Sequence, residues 1–304
     1  MLPRLPRSGL LLLVLAACSS EPDVPSPAPT VPADAGTAAP DAGGPDSGSG
    51  SEPGSSRGSG GLPCSRTGSV TSNGVTYPYC VAEVAGVELK IIEPTPASPA
   101  QPLRLALYLH GDGARAHTGD TAPRLQAPWA ASHHTLYVSA LAPNRCAWWT
   151  RPSLTACTDD APASERDLEG LNAAALVKVL EELRAGWDLQ NEAPLLLGGS
   201  SGGSVFLTAS FLPRYGHRYP AFYALGCGGE APWSGALAGD AARVSRLAYM
   251  YGDQDTYLAD IEGSVAWFRE RAFPLVETRV PNAGHCAFGH LEAVRDLWAG
   301  AVGP

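Results

Sequence analysis

The chain has 304 residues, with 21 Lys and Arg against 30 Asp and Glu, for a formal net charge of −9. That balance excludes the basic footprint of a nucleic-acid-binding protein. Beyond the N-terminal segment no apolar run reaches the length of a transmembrane helix.

The chain begins with an address. Arg4 and Arg7 precede the short apolar run Leu10-Leu11-Leu12-Leu13-Val14-Leu15, which leads into Ala16-Ala17-Cys18. Small residues before a cysteine at this point resemble a bacterial lipobox. The resemblance implies a signal over residues 1–17, removal of that signal, and acylation of Cys18. Two or three acyl chains on one residue hold a protein firmly to a membrane, whereas one alone is marginal. Ser19 after the cysteine matches outer-membrane sorting in a Gram-negative cell, so the expected location is the cell envelope, lipid-anchored or secreted. Residues 18–62 are Pro, Ala, Gly, Ser and Asp with almost no large apolar side chain. Such a stretch buries too little surface to offset its ordering entropy, and it predicts a tether reaching roughly 35–40 Å.

The remaining ~240 residues, 63–304, suit one α/β domain. Val75-Thr76-Tyr77 and Val87–Ile92 have strand composition, and Asn73-Gly74 is a turn signal. Strands are then expected at 103–109, 136–141, 194–197, 222–225, 247–251 and 275–280. Helical spacing predicts helices over 165–185, 202–212, 257–271 and 289–298; in the first of these, Leu168, Leu171, Ala175, Leu176, Val179 and Leu183 recur on one face. This alternation calls for a mostly parallel sheet with helices on both faces. Ligands bind such sheets at the carboxyl ends of the strands, so chemistry is sought just after each apolar run.

After Leu195-Leu196-Leu197 comes Gly198-Gly199-Ser200-Ser201-Gly202-Gly203. A serine with glycines two residues away on either side, between a buried strand and a helix, is the nucleophile-elbow pattern. The register Gly198-x-Ser200-x-Gly202 selects Ser200, and Gly199-x-Ser201-x-Gly203 is the rival. Ser200 is preferred because it follows the leucine triplet by the shorter step. A phosphate-cradling loop is the bland alternative, but the segment lacks the lysine of one.

On these residues the chain resembles the α/β-hydrolase superfamily over roughly residues 103–298. More narrowly it is similar to secreted esterases near polyhydroxyalkanoate depolymerases and feruloyl esterases. The resemblance implies an α/β-hydrolase fold and a serine hydrolase cleaving a carboxylic ester, small or polymeric, without metal or organic cofactor; the roughly twenty residues between Cys227 and the strand at 247 leave room for little or no lid. Leu109-His110-Gly111-Asp112-Gly113 looks like the family's oxyanion loop, which implies the backbone N–H groups of Asp112 and Ser201 as donors and a structural role for His110. Tyr251-Gly252-Asp253-Gln254-Asp255 implies Asp255 as the acid, with Asp253 as the alternative. Asn282-Ala283-Gly284-His285 implies His285 as the base, leaving His290 a surface residue. Trp148, Trp149 and Trp233 either line the pocket or serve ordinary packing. A serine peptidase of the same fold and a non-catalytic surface-binding module are the rival readings.

Seven cysteines are present. With Cys18 set aside, an even number in an exported chain favours disulfides. The expected pairs are Cys64 with Cys80, Cys146 with Cys157, and Cys227 with Cys286.

Overall fold

The computed structural model describes residues 60–94, 101–154 and 162–303. The signal over 1–17, Cys18, most of the predicted tether and Cys157 lie outside these residues.

Strand-forming sequence opens the domain. β1 (Arg66–Ser72), β2 (Val75–Val84) and β3 (Val87–Ile92) form an antiparallel meander. Its two turns are Asn73-Gly74 and Ala85-Gly86, all four residues with positive φ. Two such residues make the tight turn whose twist matches that of the flanking strands. The first turn is legible in the sequence; the second hides behind an alanine.

The rest of the sheet is parallel. β4 (Arg104–Leu109), β5 (Thr135–Ala140), β6 (Leu195–Ser200), β7 (Ala221–Gly226), β8 (Ser245–Gly252) and β9 (Leu275–Val280) complete nine strands in the order β1-β2-β3-β5-β4-β6-β7-β8-β9. β3 meets β5 antiparallel, and every later pairing is parallel. β5 and β6 are buried at every position, as strands covered on both faces must be.

Two helical layers cover the sheet. α1 (Arg115–Thr118), α2 (Thr121–Ser132) and α3 (Leu171–Gly186) are followed by α4 (Gly202–Phe206), a π turn at Leu207–Phe211 and α5 (Leu212–Tyr215) in unbroken succession. α6 (Ala241–Val244), α7 (Leu258–Glu270) and α8 (His290–Val302) follow. Leu107, Leu109 and Leu197 point into one core with Leu176, Leu180, Phe206, Ile261 and Phe268. Ala106, Tyr108, Tyr137 and Leu196 point to the other, with Ala127 and Trp129 of α2 and Val294 and Trp298 of α8. Alternation along each strand thus divides the apolar residues between two cores. Among the described residues the stretch between β7 and β8 carries only the single turn α6, and no helix is long and apolar enough to cross a membrane.

The helix expected over 165–185 starts later. The buried Asp167 carboxylate accepts the N–H groups of Leu171 (3.0 Å) and Asn172 (2.7 Å), capping α3 there. Leu168 and Leu171 are therefore 61% and 50% exposed rather than core. Sequence reading missed α2 altogether, because Pro123 and Pro128 lie in it and proline is read as a helix breaker.

Buried polar side chains tie α1 and α2 to the sheet. The Lys90 ammonium donates to the His117 carbonyl (2.6 Å) and to Asp120 (2.5 Å), which also accepts the Tyr79 hydroxyl (3.2 Å). His117 bridges Ser139 and Glu88. Burial lowers the His117 imidazole to about 3, helped by the Lys90 charge, and burial lowers that of His110 to about 4. Both stay neutral in the native protein, while in the unfolded chain they take up protons below about 6.5. Stability should therefore fall as pH drops from about 6.5 toward 4, each histidine contributing about 1.4 kcal/mol per pH unit at most. Guanidinium midpoints measured between pH 7.5 and 4.5 check this; a flat profile across that window contradicts it.

Candidate active site

The turn after β6 sets the site. Ser201 has φ 49° and ψ −122°, a conformation that non-glycine residues avoid. Its N–H donates to the Gly226 carbonyl (2.9 Å), and its own carbonyl accepts the Val205 N–H (3.0 Å) as α4 begins. A reversal this sharp presses backbone on backbone. A Cβ on Gly199 would lie 2.7 Å from the Gly203 carbonyl carbon, and one on Gly203 would lie 2.4 Å from the Leu109 carbonyl oxygen. The glycine pair that the elbow requires is thus Gly199 and Gly203, which flank Ser201.

That geometry corrects the expectation for Ser200. Ser200 is the last residue of β6, and its hydroxyl is buried against the Tyr108 hydroxyl at 2.5 Å. The Ser201 hydroxyl, one residue on, lies 3.0 Å from Nε2 of His285. The overlapping glycine patterns hide the register in the sequence; the backbone angles of Ser201 and the partners of the two hydroxyls separate them.

His285 occupies the loop between β9 and α8. Its Nδ1 lies 3.0 and 3.1 Å from the two carboxylate oxygens of Asp255. With Nδ1–H donating to the carboxylate, Nε2 is left to accept the Ser201 hydroxyl. Asp255 also accepts the Tyr257 N–H (2.8 Å), and the Tyr257 ring meets the imidazole edge-on at 4.9 Å. Asp253, the alternative acid, turns elsewhere: its carboxylate accepts the Asn282 N–H (2.7 Å). With the Gln254 N–H on the Ala283 carbonyl (3.0 Å), this zips the Asp255 loop to the His285 loop.

A disulfide closes the same region. Cys227, just after β7, is bonded to Cys286, the neighbour of His285, and Cys64 is bonded to Cys80. Cys146 is also disulfide-bonded; its expected partner Cys157 lies outside the described residues. Cys227, Cys286 and His290 lie close enough together to suggest a metal ligand set. Both sulfurs are spent in the bridge, so the thiolates that such a site needs do not exist.

The expected oxyanion donors need one correction. The Ser201 N–H is committed to Gly226, so the amide beyond the serine that opens α4 is that of Gly202. The first amides of a helix have no partner within it. Asp112 stands opposite, three residues past β4. His110 is fully buried beneath this loop: it accepts the Ala142 N–H at Nε2 (3.0 Å), and its Nδ1 donates to the Gly111 carbonyl (2.7 Å). His290 is not a simple surface residue. It is half-buried on the cleft wall, 3.2 Å from the Cys286 carbonyl.

Ser201 and His285 open onto a cleft of about 630 Å³, walled by Asp112, Trp149, Val205, Glu230, Tyr257 and Ile261 among others. Of the three tryptophans considered, Trp149 lines it. Trp148 is core, donating to the Ala140 carbonyl (3.3 Å). Trp233 donates to the Glu230 carboxylate, which also pairs with Arg166. Tyr108, Tyr257 and the Arg166–Glu230 pair escape sequence reading, because no motif marks them and only the fold brings them to the site.

Comparison with protein-family profiles and with curated protein sequences finds no match. Solved structures do resemble the chain. Acyl-protein thioesterase 2 of Zea mays superposes with a TM-score of 0.51 at 16% identity, over 71% of this chain and 99% of that one. TT1662 of Thermus thermophilus gives 0.50 at 17%, over 75% and 99%. A thermostable esterase gives 0.50 at 15%, over 78% and 60%. At such identities the likeness establishes the fold, and the chain has the α/β-hydrolase fold.

Proposed function

We propose that the protein is a serine hydrolase that cleaves carboxylic esters through an acyl-enzyme formed on Ser201. The observation that carries this reading is the chain from the Ser201 hydroxyl to His285 Nε2, and from His285 Nδ1 to Asp255, each step about 3.0 Å. Hydrogen-bonded in that order, a serine, a histidine and a buried carboxylate suit nucleophilic acyl transfer.

The roles follow from the atoms. His285 Nε2 takes the Ser201 proton as Oγ attacks the ester carbonyl, and the resulting imidazolium gives it to the leaving alkoxide as the C–O bond breaks. Asp255 fixes the tautomer that leaves Nε2 basic and stabilises the imidazolium. The backbone N–H groups of Gly202 and Asp112 face the developing oxyanion, aided by the start of α4. Water, deprotonated by His285, then releases the acid from Ser201. These steps call on no metal or organic cofactor. The absence of a large insertion between β7 and β8 supports an open cleft suited to short-chain, aromatic or polymeric esters.

The test is hydrolysis of p-nitrophenyl esters of increasing chain length, with peptide anilides alongside. Ser201→Ala should lose activity by about 10⁴-fold or more, and Asp255→Asn by roughly 10⁴-fold. Ser200→Ala should keep most of it, since Ser200 bonds Tyr108 and not His285. Activity surviving in Ser201→Ala but lost in Ser200→Ala would return the nucleophile to Ser200; turnover of anilides alone would favour a peptidase.

Acylation of Cys18 would place this enzyme on an envelope membrane, a reading that rests on residues 10–18. In detergent phase separation the mature protein should partition with the detergent and the Cys18→Ser variant with the aqueous phase. A native chain found only in the aqueous phase counts against the anchor.

A further inference from the structure

One contact in the cleft serves none of the steps above. The indole N–H of Trp149 points at the Asp112 carboxylate, 3.1 Å from one oxygen and 2.9 Å from the other. Asp112 is also the residue whose backbone N–H the proposed mechanism uses as the second oxyanion donor, and its carboxylate lies against Gly202. Both side chains press on Gly202: a Cβ there would lie 1.9 Å from Asp112 Oδ1 and 2.7 Å from Trp149 Cδ1. The pair therefore packs against the α-carbon of the residue after Ser201.

Trp149 is itself firmly held. Its carbonyl accepts the Asp167 N–H (3.0 Å). On one side, Asn172 donates to the Trp148 carbonyl (2.8 Å) and the Thr150 carbonyl (2.7 Å). On the other, Asn144 accepts the N–H groups of Cys146 (2.9 Å) and Ala147 (3.0 Å). The same segment grips the oxyanion loop a second time, where the Gly113 N–H donates to the Cys146 carbonyl (3.0 Å). A carboxylate near a developing oxyanion opposes it by like-charge repulsion, more so in a site with little water. A charge-assisted bond from a rigid indole both restrains that carboxylate and offsets part of its charge.

We propose that Trp149 and Asp112 form a positioning pair that sets the spacing of the Asp112 and Gly202 amides around the oxyanion. This rests on the acyl-enzyme reading of the site. The pair acts at the carbonyl carbon common to all ester substrates, so its loss lowers turnover rather than binding, and does so equally for every acyl chain. A residue that merely lined the cleft would change KM, and by an amount that grows with chain length.

The experiment is steady-state kinetics of Trp149→Phe on p-nitrophenyl acetate, butyrate and octanoate, with a fluorophosphonate labelling rate and a melting curve for each protein. Phenylalanine keeps an aromatic ring and removes the N–H. The expected result is a fall in kcat of about tenfold or more, somewhat below the loss of a whole oxyanion donor, with KM within about twofold for all three esters. Asp112→Ala should also lower kcat, but by less than Trp149→Phe because it removes the opposing charge together with the indole's partner; Asp112→Asn should lose least because its amide oxygen still accepts the indole, and the double variant should be no worse than Trp149→Phe alone. Unchanged kcat, a KM effect that grows with acyl length, or additive losses in the double variant overturn the proposal. If Trp149→Phe melts early, Asp112→Ala against Asp112→Asn decides it. A wild-type protein that neither hydrolyses nor labels removes the esterase reading and the pair together; an active wild type with an equally active Trp149→Phe removes only the pair.

Discussion

At Ser201 the chain leaves a buried strand and enters a helix within one residue, in a conformation that costs of order 1–3 kcal/mol for a residue with a side chain. The surroundings enforce it. The Ser201 N–H is held by Gly226 of the neighbouring strand, its carbonyl is spent on α4, and Gly203 lies against the carbonyls of Leu109 and His110. With both backbone groups bonded and no room for a Cβ at Gly199 or Gly203, the serine cannot relax. The strain puts the hydroxyl above the sheet and the next amides beside it. Every other part of the site is measured from that point.

The imidazole and its carboxylate reach Ser201 from two further strand ends. β8 and β9 are parallel neighbours, and the loops beyond them stay joined through Asp253 to Asn282 and Gln254 to Ala283. The Cys227–Cys286 bridge adds a covalent tie from the end of β7 to the residue beside His285. The Asp112 loop follows β4, which pairs directly with β6. Five strand ends, those of β4, β6, β7, β8 and β9, therefore carry or brace the site, and their spacing is a property of the sheet and its two cores. Preorganisation of this kind lets short hydrogen bonds form without paying again for ordering at each turnover.

The fold was legible where one physical signal dominated. Leu195-Leu196-Leu197 and Leu105–Leu109 read as buried strands because strands covered on both faces tolerate little but apolar residues. Reading failed where two patterns overlapped or an unusual residue intervened. Gly-Gly-Ser-Ser-Gly-Gly fits the elbow in either register, and composition says nothing about which serine takes positive φ. With Ser201 at the turn, the amide beyond the serine at the start of α4 is that of Gly202, because the Ser201 N–H is bonded to Gly226. Asp253 and Asp255 both follow a glycine at a strand end, and what parts them is a backbone N–H 29 residues away in the chain, at Asn282. Trp148 and Trp149 are neighbours with identical side chains, yet one faces the core and the other the cleft. Prolines concealed α2, and a carboxylate four residues upstream of Leu171 delayed α3.

The central claim is that Ser201, and not Ser200, carries the acyl group, and the most direct measurement is to trap and locate the adduct. The unmodified protein is treated with a fluorophosphonate or slowly hydrolysed p-nitrophenyl ester, digested, and fragmented by mass spectrometry to separate the adjacent serines. The account predicts one adduct, on Ser201, whose formation slows sharply when His285 is replaced by Ala. An adduct on Ser200, or one on Ser201 that forms as fast without His285, would contradict it.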